Sequence, residues 1–320
     1  MARISTNAGE AADVLKAGGL VAFPTETVYG LGADAANDKA VAAIFAAKRR
    51  PRFNPLIAHV TGLEAARSLG RFDAAAQRLA EAFWPGPLTL VVQRMEDCPV
   101  SLLASAGLDT LAIRAPAHDV AQELLRAFGG AIAAPSANIS GRLSPTEAEH
   151  VAESPLAEEV DIILDGGECA VGVESTIVGF DESGAPVILR PGGVAREDIE
   201  KTLGMAVRQA AGASGAPSSP GQLSSHYAPR ARLRLNARAP EEGEMFLAFG
   251  PDAPKGMPGL NLSVSGDPRE AAANLFAFLR ILDDTGAGRI AVAPVPEEGL
   301  GEAINDRLRR AAAPRGEEEG

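Results

Sequence analysis

Five short stretches of this 320-residue chain gather hydroxyls, amides and guanidinium groups at close spacing. The first, Pro24-Thr25-Glu26-Thr27-Val28-Tyr29-Gly30-Leu31-Gly32, mixes hydroxyls, a carboxylate and two glycines after an apolar run. Glycine lets backbone approach a ligand closely and a hydroxyl both donates and accepts, so this reads as a ligand-facing loop. A turn with a capping threonine fits the same residues. The second, Lys48-Arg49-Arg50-Pro51-Arg52-Phe53-Asn54-Pro55, sets four cations at the end of a helical pattern. The helix dipole favours cations there, but a fixed arginine also matches phosphate or carboxylate oxygens in pairs.

The third, Ala133-Ala134-Pro135-Ser136-Ala137-Asn138-Ile139-Ser140-Gly141, leaves an apolar run with two hydroxyls and an amide. Small polar groups at the C-terminal end of a strand are where α/β folds place ligands, although an Asx or serine turn has the same composition. Val173-Glu174-Ser175-Thr176 and Leu189-Arg190-Pro191-Gly192 repeat the pattern at two further strand edges. Together the five offer many donors and few general bases, which suits binding and aligning an anionic, nucleotide-like ligand.

The chain contains no GxxxxGK[ST] loop, GxGxxG fingerprint, GxSxG elbow or HExxH pair, so an ATP site here is not of the Walker type. His59, His118, His150 and His226 lack metal-ligand spacing, and no residues read as metal ligands. Cys98 and Cys169 stand outside any CxxC pair and read as ordinary thiols. A net charge of −12 argues against a protein that coats nucleic acid, so little direct RNA binding is expected. Apolar runs such as Leu20 to Phe23 fall far short of the roughly 20 residues that span a bilayer, and Met1 to Asn7 lacks a secretory pattern. The expectation is a cytoplasmic protein without a membrane partner.

Apolar strand-like runs must carry these stretches. They are Leu20–Phe23, Leu56–Val60, Leu88–Gln93, Leu111–Arg114, Ala131–Ala134, Asp161–Leu164, Ser175–Gly179 and Val187–Arg190. Helical spacing predicts helices between Asn37 and Lys48, near Ala74 to Phe83, and near Val120 to Phe128. The alternation indicates an α/β or α+β layer architecture. A breaker-rich segment from Gly212 to Gly221 reads as a linker. Beyond it a strand at Glu244–Phe249, a helix at Pro268–Asp283, a strand at Arg289–Ala293 and a helix at Leu300–Ala312 predict a smaller α/β unit.

The motif order resembles the Sua5/YrdC/YciO family over nearly the whole chain, and the layout resembles its two-domain Sua5 branch. The resemblance is carried by PTETVYGLG, by the KxRPxxNPL pattern from Lys48 to Leu56 with His59 after it, and by SANxSG at Ser136 to Gly141. SPT at Ser144 to Thr146, STIV at Ser175 to Val178, RPG at Arg190 to Gly192 and a PGxxxxHYAP-like stretch ending at Pro229 complete it. It implies an open twisted mixed α/β sheet in residues 1–207, a linker or lid at 208–230, and a Rossmann-like unit at 231–320. The implied enzyme is a nucleotidyltransferase joining L-threonine, bicarbonate or carbon dioxide, and ATP with magnesium into threonylcarbamoyl-AMP. A downstream transferase would use that product on adenosine 37 of tRNA.

Residue by residue, the resemblance implies that Thr27, His59, Arg114, Ser136 and Ser175 hold threonine. ATP would meet Arg50, Asn54, Thr110, Asn138, Thr146, Arg190 and either His226 or Tyr227. Tyr29, Lys48 and Arg50 would line the same cavity as catalytic groups. Three alternatives stay open on the residues: a carbamoyl-adenylate-forming module like that of hydrogenase maturation, an RNA-binding surface, and a regulatory ligand-binding protein.

Overall fold

The computed structural model describes residues 2–210, 226–254 and 256–314. Most of the expected linker, the Pro220 to Ser225 part of the motif before His226, and the acidic stretch at 316–320 lie outside the described residues.

The strands that build the first unit are β1 Arg3–Ser5, β2 Val21–Phe23, β3 Gly30–Asp34, β4 Ile57–His59, β5 Gly70–Arg71 and β6 Leu88–Arg94. They are followed by β7 Thr110–Arg114, β8 Ile132–Ala134, β9 Ile162–Leu164, β10 Thr176–Phe180, β11 Pro186–Arg190 and β12 Arg208–Gln209. Among the described residues these form one mixed sheet in the order β1-β9-β2-β3-β8-β4-β7-β6-β10-β11-β12, with β5 pairing β6. Helices α1 Ala8–Lys16, α2 Asp38–Ala47, α3 Leu63–Ala66, α4 Ala74–Phe83, α5 Asp119–Phe128, α6 Ala148–Ala152 and α7 Arg196–Leu203 accompany it. All eight strands expected in this region are present, within a few residues at each end.

Three features depart from expectation. The second half of the PTETVYGLG stretch is a strand, β3, antiparallel to β2, and not loop. Its glycines are required by packing: a Cβ on Gly32 would sit 2.8 Å from both the Ile132 Cγ2 and the Phe23 ring. Helix α1 is built from small residues and capped by Asn7, whose Oδ1 accepts from the Glu10 amide at 3.2 Å. Strand β12 pairs with β11, so the large sheet runs to Gln209, inside the stretch read as linker.

The second unit contains β13 Arg232–Arg234, β14 Glu244–Ala248, β15 Gly259–Asn261 and β16 Arg289–Val292, ordered β13-β16-β14-β15. Every pairing is parallel. Helices α8 Pro268–Asp284 and α9 Leu300–Ala312 cover it. The units are packed together: Val28, Leu143 and Val173 of the first share one apolar cluster with Tyr227, Phe276 and Leu308.

Register brings the polar stretches together. His59 pairs with Arg114 across β4 and β7, and with Ile132 across β4 and β8. A bridge between Gly30 and Ser136 joins the first and third stretches. Strand alternation puts Ile57 with His59, and Thr110 and Ala112 with Arg114, on one sheet face. Ile57, Val91, Ala112 and Ile177 form an apolar floor there.

Candidate active site

A cavity of about 50 Å³ lies at the C-terminal ends of β4 and β7 and against the segment 226–227. Of the residues expected at threonine, Thr27, His59, Arg114, Ser136 and Ser175 all line it. Of those expected at ATP, Arg50, Arg190, His226 and Tyr227 do.

Arg114 is fixed from three sides. It donates to Thr27 Oγ1 at 2.9 Å and to the Gly86 carbonyl at 3.3 Å, and it pairs with Glu26 at 2.7 Å. Thr27 Oγ1 shares a further hydrogen bond with Thr25 Oγ1 at 2.8 Å. His59 Nδ1 lies 3.2 Å from the Ile57 carbonyl. Burial, with the Arg114 charge beside it, pushes its pKa down to about 3 and keeps the imidazole neutral. Ser175 meets Thr89 Oγ1 at 2.8 Å, and Arg190 donates to both its carbonyl and its hydroxyl.

The nucleotide side is built around Arg50, whose Nε donates to the Asn54 carbonyl at 3.1 Å and whose second nitrogen donates to the Pro55 carbonyl at 2.9 Å. Burial lowers its pKa to about 9, so it stays charged at neutral pH. Asn138 donates to the Ile139 and Arg142 carbonyls, folding the third stretch on itself. The side-chain oxygens of Asn54, Asn138 and Ser140 are buried without a hydrogen-bond partner, as is His226 Nδ1. Buried polar atoms in that state are costly unless a ligand or water meets them. Asn54 and Asn138 thus keep unspent acceptors, but neither is among the residues that line the cavity.

Four expected residues are placed differently. Tyr29 is fully buried behind its loop and donates to the Gly167 carbonyl at 2.9 Å, so it belongs to the core and not to the cavity lining. Lys48 is also buried, with Nζ donating to the carbonyls of Ser136 and Asn138. Burial, with Arg50 nearby, pushes its pKa well below the ordinary range. Its position is that of a buttress for the Ser-Ala-Asn loop. Thr146 faces His150, its hydroxyl 3.4 Å from Nδ1. Thr110 stands at the far end of β7, roughly 13 Å from Arg114 at ~3.3 Å per residue. There it lines an open groove of about 850 Å³ that shares the floor residue Val91 with the apolar cluster.

Sequence reasoning missed three charged groups. Glu26 is the counterion of Arg114. Glu174 lines the cavity and accepts from Ser144 Oγ at 2.6 Å. Burial would raise its carboxyl, but Arg307 and Arg190 hold it down at about 2. Arg307 comes from α9 and donates to Glu174 Oε2 at 2.7 Å. The signal for Arg307 was its place among Ala303, Ile304, Leu308 and Ala311 on the buried stripe of that helix.

Two family models match the chain in series. The Sua5/YciO/YrdC model, described as telomere recombination, covers residues 13–192. The model described as the threonylcarbamoyl-AMP synthase C-terminal domain covers residues 194–313. The threonylcarbamoyl-AMP synthase of Pyrococcus abyssi (strain GE5 / Orsay) is 42% identical over 94% of this chain and 93% of its own length. That of Bacillus subtilis (strain 168) is 40% identical over 98% and 95%. The crystal structure of P. abyssi Sua5 complexed with L-threonine is similar at TM-score 0.87 and 39% identity, covering 98% of this chain and 97% of that one. The two family models in series and the near-complete coverage by these relatives point one way: this is a two-domain member of the Sua5/YciO/YrdC family.

Proposed function

We propose that this protein is an L-threonylcarbamoyladenylate synthase, a nucleotidyltransferase that makes threonylcarbamoyl-AMP and pyrophosphate from L-threonine, bicarbonate or carbon dioxide, and ATP. The observation that carries the reading is the joining of Arg114, Thr27, His59, Ser136 and Ser175 in one buried cavity, in a chain so similar to a Sua5 described with L-threonine. Arg114 takes the threonine carboxylate in this reading, and the small hydroxyls around it suit the rest of a short hydroxy amino acid.

Two steps follow. The threonine amine attacks the carbon of carbon dioxide and loses a proton to solvent, or attacks that of bicarbonate with breakage of a C–O bond and loss of water, giving a carbamate in either case. A carbamate oxygen then attacks the α-phosphorus of ATP, and the bond to the bridging oxygen of pyrophosphate breaks. Arg50 and Arg190 oppose the charge that spreads over the phosphates, and Asn54 and Asn138 supply the polar contacts beside them. Thr146 and Thr110 fall outside the small cavity. A nucleotide reaching from Arg114 along the apolar floor to the groove at Thr110 has about the right length, with its base over Val91 and Leu189. Positioning and charge neutralisation supply the rate in such a site.

Magnesium enters in this reading with ATP, as part of the substrate. Among the described residues no group of three or more His, Cys, Asp or Glu side chains is placed to hold a metal ion, and Glu26 and Glu174 are each engaged by an arginine. No helix among the described residues is long and apolar enough to cross a membrane. We place the reaction in the cytoplasm, with a transferase acting on tRNA adenosine 37 as the consumer of the product.

The test is pyrophosphate release from ATP with magnesium, bicarbonate and L-threonine, each of the last two omitted in turn. Release that requires both supports the synthase. Release without threonine overturns it.

A further inference from the structure

Arg307 is 1% exposed and sits where the two units meet the cavity. Its Nε holds Glu174 Oε2 at 2.7 Å, and another of its nitrogens holds Asp306 at 2.7 Å. Its guanidinium carbon lies 5.3 Å from the centre of the Tyr227 ring, within cation–π range. Tyr227 in turn packs 5.5 Å from Phe276 and 4.0 Å from the His226 ring. Its backbone is in the left-handed region at φ +62°, a conformation that a tyrosine keeps only when its surroundings impose it. The same short segment is tied on both sides, by His226 N to the Arg310 carbonyl at 3.3 Å and by Ala228 N to the Gly141 carbonyl at 2.8 Å.

On the other side of Arg307, Glu174 leads directly into Ser175. The Glu174 carbonyl accepts from Gly193 N at 3.1 Å, and a Cβ on Gly192 would come within 2.3 Å of that oxygen. The backbone between the threonine-side serine and the Arg190 loop is therefore packed without slack.

We propose that Arg307 is a positioning residue of the active site. One guanidinium fixes two parts of the cavity wall, Glu174 before Ser175 and the buried Tyr227 ring, so the site is complete only when α9 is docked. This rests on the function proposed above for its kinetic consequences, but not for its conformational ones.

A second tie between the units, Arg196 to Glu302 at the start of α9, supplies the control, because neither side chain is bonded to a residue that lines the cavity, whereas Arg307 holds Glu174 and Tyr227, which do. If Arg307 only holds the units together, Arg307→Met and Glu302→Gln will act alike.

The experiment compares both variants and Arg307→Lys with the parent by hydrogen-exchange mass spectrometry on the peptide carrying residues 226–228, alongside pyrophosphate-release kinetics. Arg307→Met should speed exchange there at least tenfold and raise the threonine KM at least tenfold, with Arg307→Lys between it and the parent and Glu302→Gln close to the parent. Exchange at 226–228 equal in Arg307→Met and Glu302→Gln, or a threonine KM within twofold of the parent, overturns the proposal. Should Arg307→Met not fold, the pair Glu174→Gln with Arg307→Met removes both charges of that ion pair together, while Asp306 keeps Arg310 at 3.0 Å. Unchanged protection at 226–228 in that pair overturns the proposal, and faster exchange supports it. A parent that releases no pyrophosphate refutes the proposed reaction, while the exchange comparison still decides the role of Arg307.

Discussion

Replacing Arg114 should damage stability and threonine binding by separable amounts. Its side chain is 4% exposed and that of Glu26 is 9% exposed. Arg114→Met leaves the Glu26 carboxylate buried without its cation, which costs about 3–5 kcal/mol. At ~2–4 °C per kcal/mol for a unit of this size, the melting temperature should fall by roughly 6–20 °C. Adding Glu26→Gln removes the stranded charge, and the double variant should recover to within about 1–2 kcal/mol of the parent. Binding behaves differently. If Arg114 takes the threonine carboxylate, its loss removes about 1.5–3 kcal/mol, or roughly 10- to 150-fold in Kd, and Glu26→Gln does not restore it. Thermal melts with threonine titration calorimetry on the parent, both single variants and the double variant separate the two effects. A double variant that binds threonine within twofold of the parent refutes the assignment of Arg114, and one as unstable as Arg114→Met refutes the ion-pair reasoning.

Three further outcomes are expected. Burial holds His59 and His226 near a pKa of about 3 against an ordinary 6.5; the unfolded chain therefore binds protons that the fold refuses, and stability present above pH 6.5 is lost as the pH falls towards 3. Each should cost about 2 kcal/mol between pH 7 and pH 5, and His59→Asn should flatten the acid limb of a urea-midpoint profile by about that share. Gly32→Ala drives a methyl to 2.8 Å from Ile132 and Phe23 and should cost about 1–3 kcal/mol in urea denaturation. Lys48→Met releases the Ser136 and Asn138 carbonyls and should raise the KM for ATP several-fold; an unchanged KM argues against the buttress.

The strands that carry the site were legible because each is a short apolar run between polar turns, as at Ile57–His59 and Ile132–Ala134. Strand β3 was not, because the glycines that admit the Phe23 ring look like loop residues. Helix α7 escaped because only Ile199 and Leu203 of its eight residues are buried, which leaves too little apolar period to read. The polar stretches announced a ligand site, but not which groups face it. Tyr29 and Lys48 occur in the same motifs as true lining residues, and only the path of the backbone turns them inward. Glu174 and Arg307 are 133 residues apart, a pairing that no local pattern encodes.

That separation gives the enzyme a timetable. A ribosome adding about 5–20 residues each second needs roughly 7–27 seconds to travel from Glu174 to Arg307. During that interval the large sheet can fold as it emerges, and the cavity-lining residues Thr27, His59, Arg114 and Ser136 all precede Glu174 in the chain. The Glu174 acid has no arginine from α9 yet, and the Tyr227 ring lacks the guanidinium that will lie over it. A nascent chain therefore carries most of the cavity lining but an unfinished wall, and on the role proposed for Arg307 it becomes competent in one late step when α9 docks.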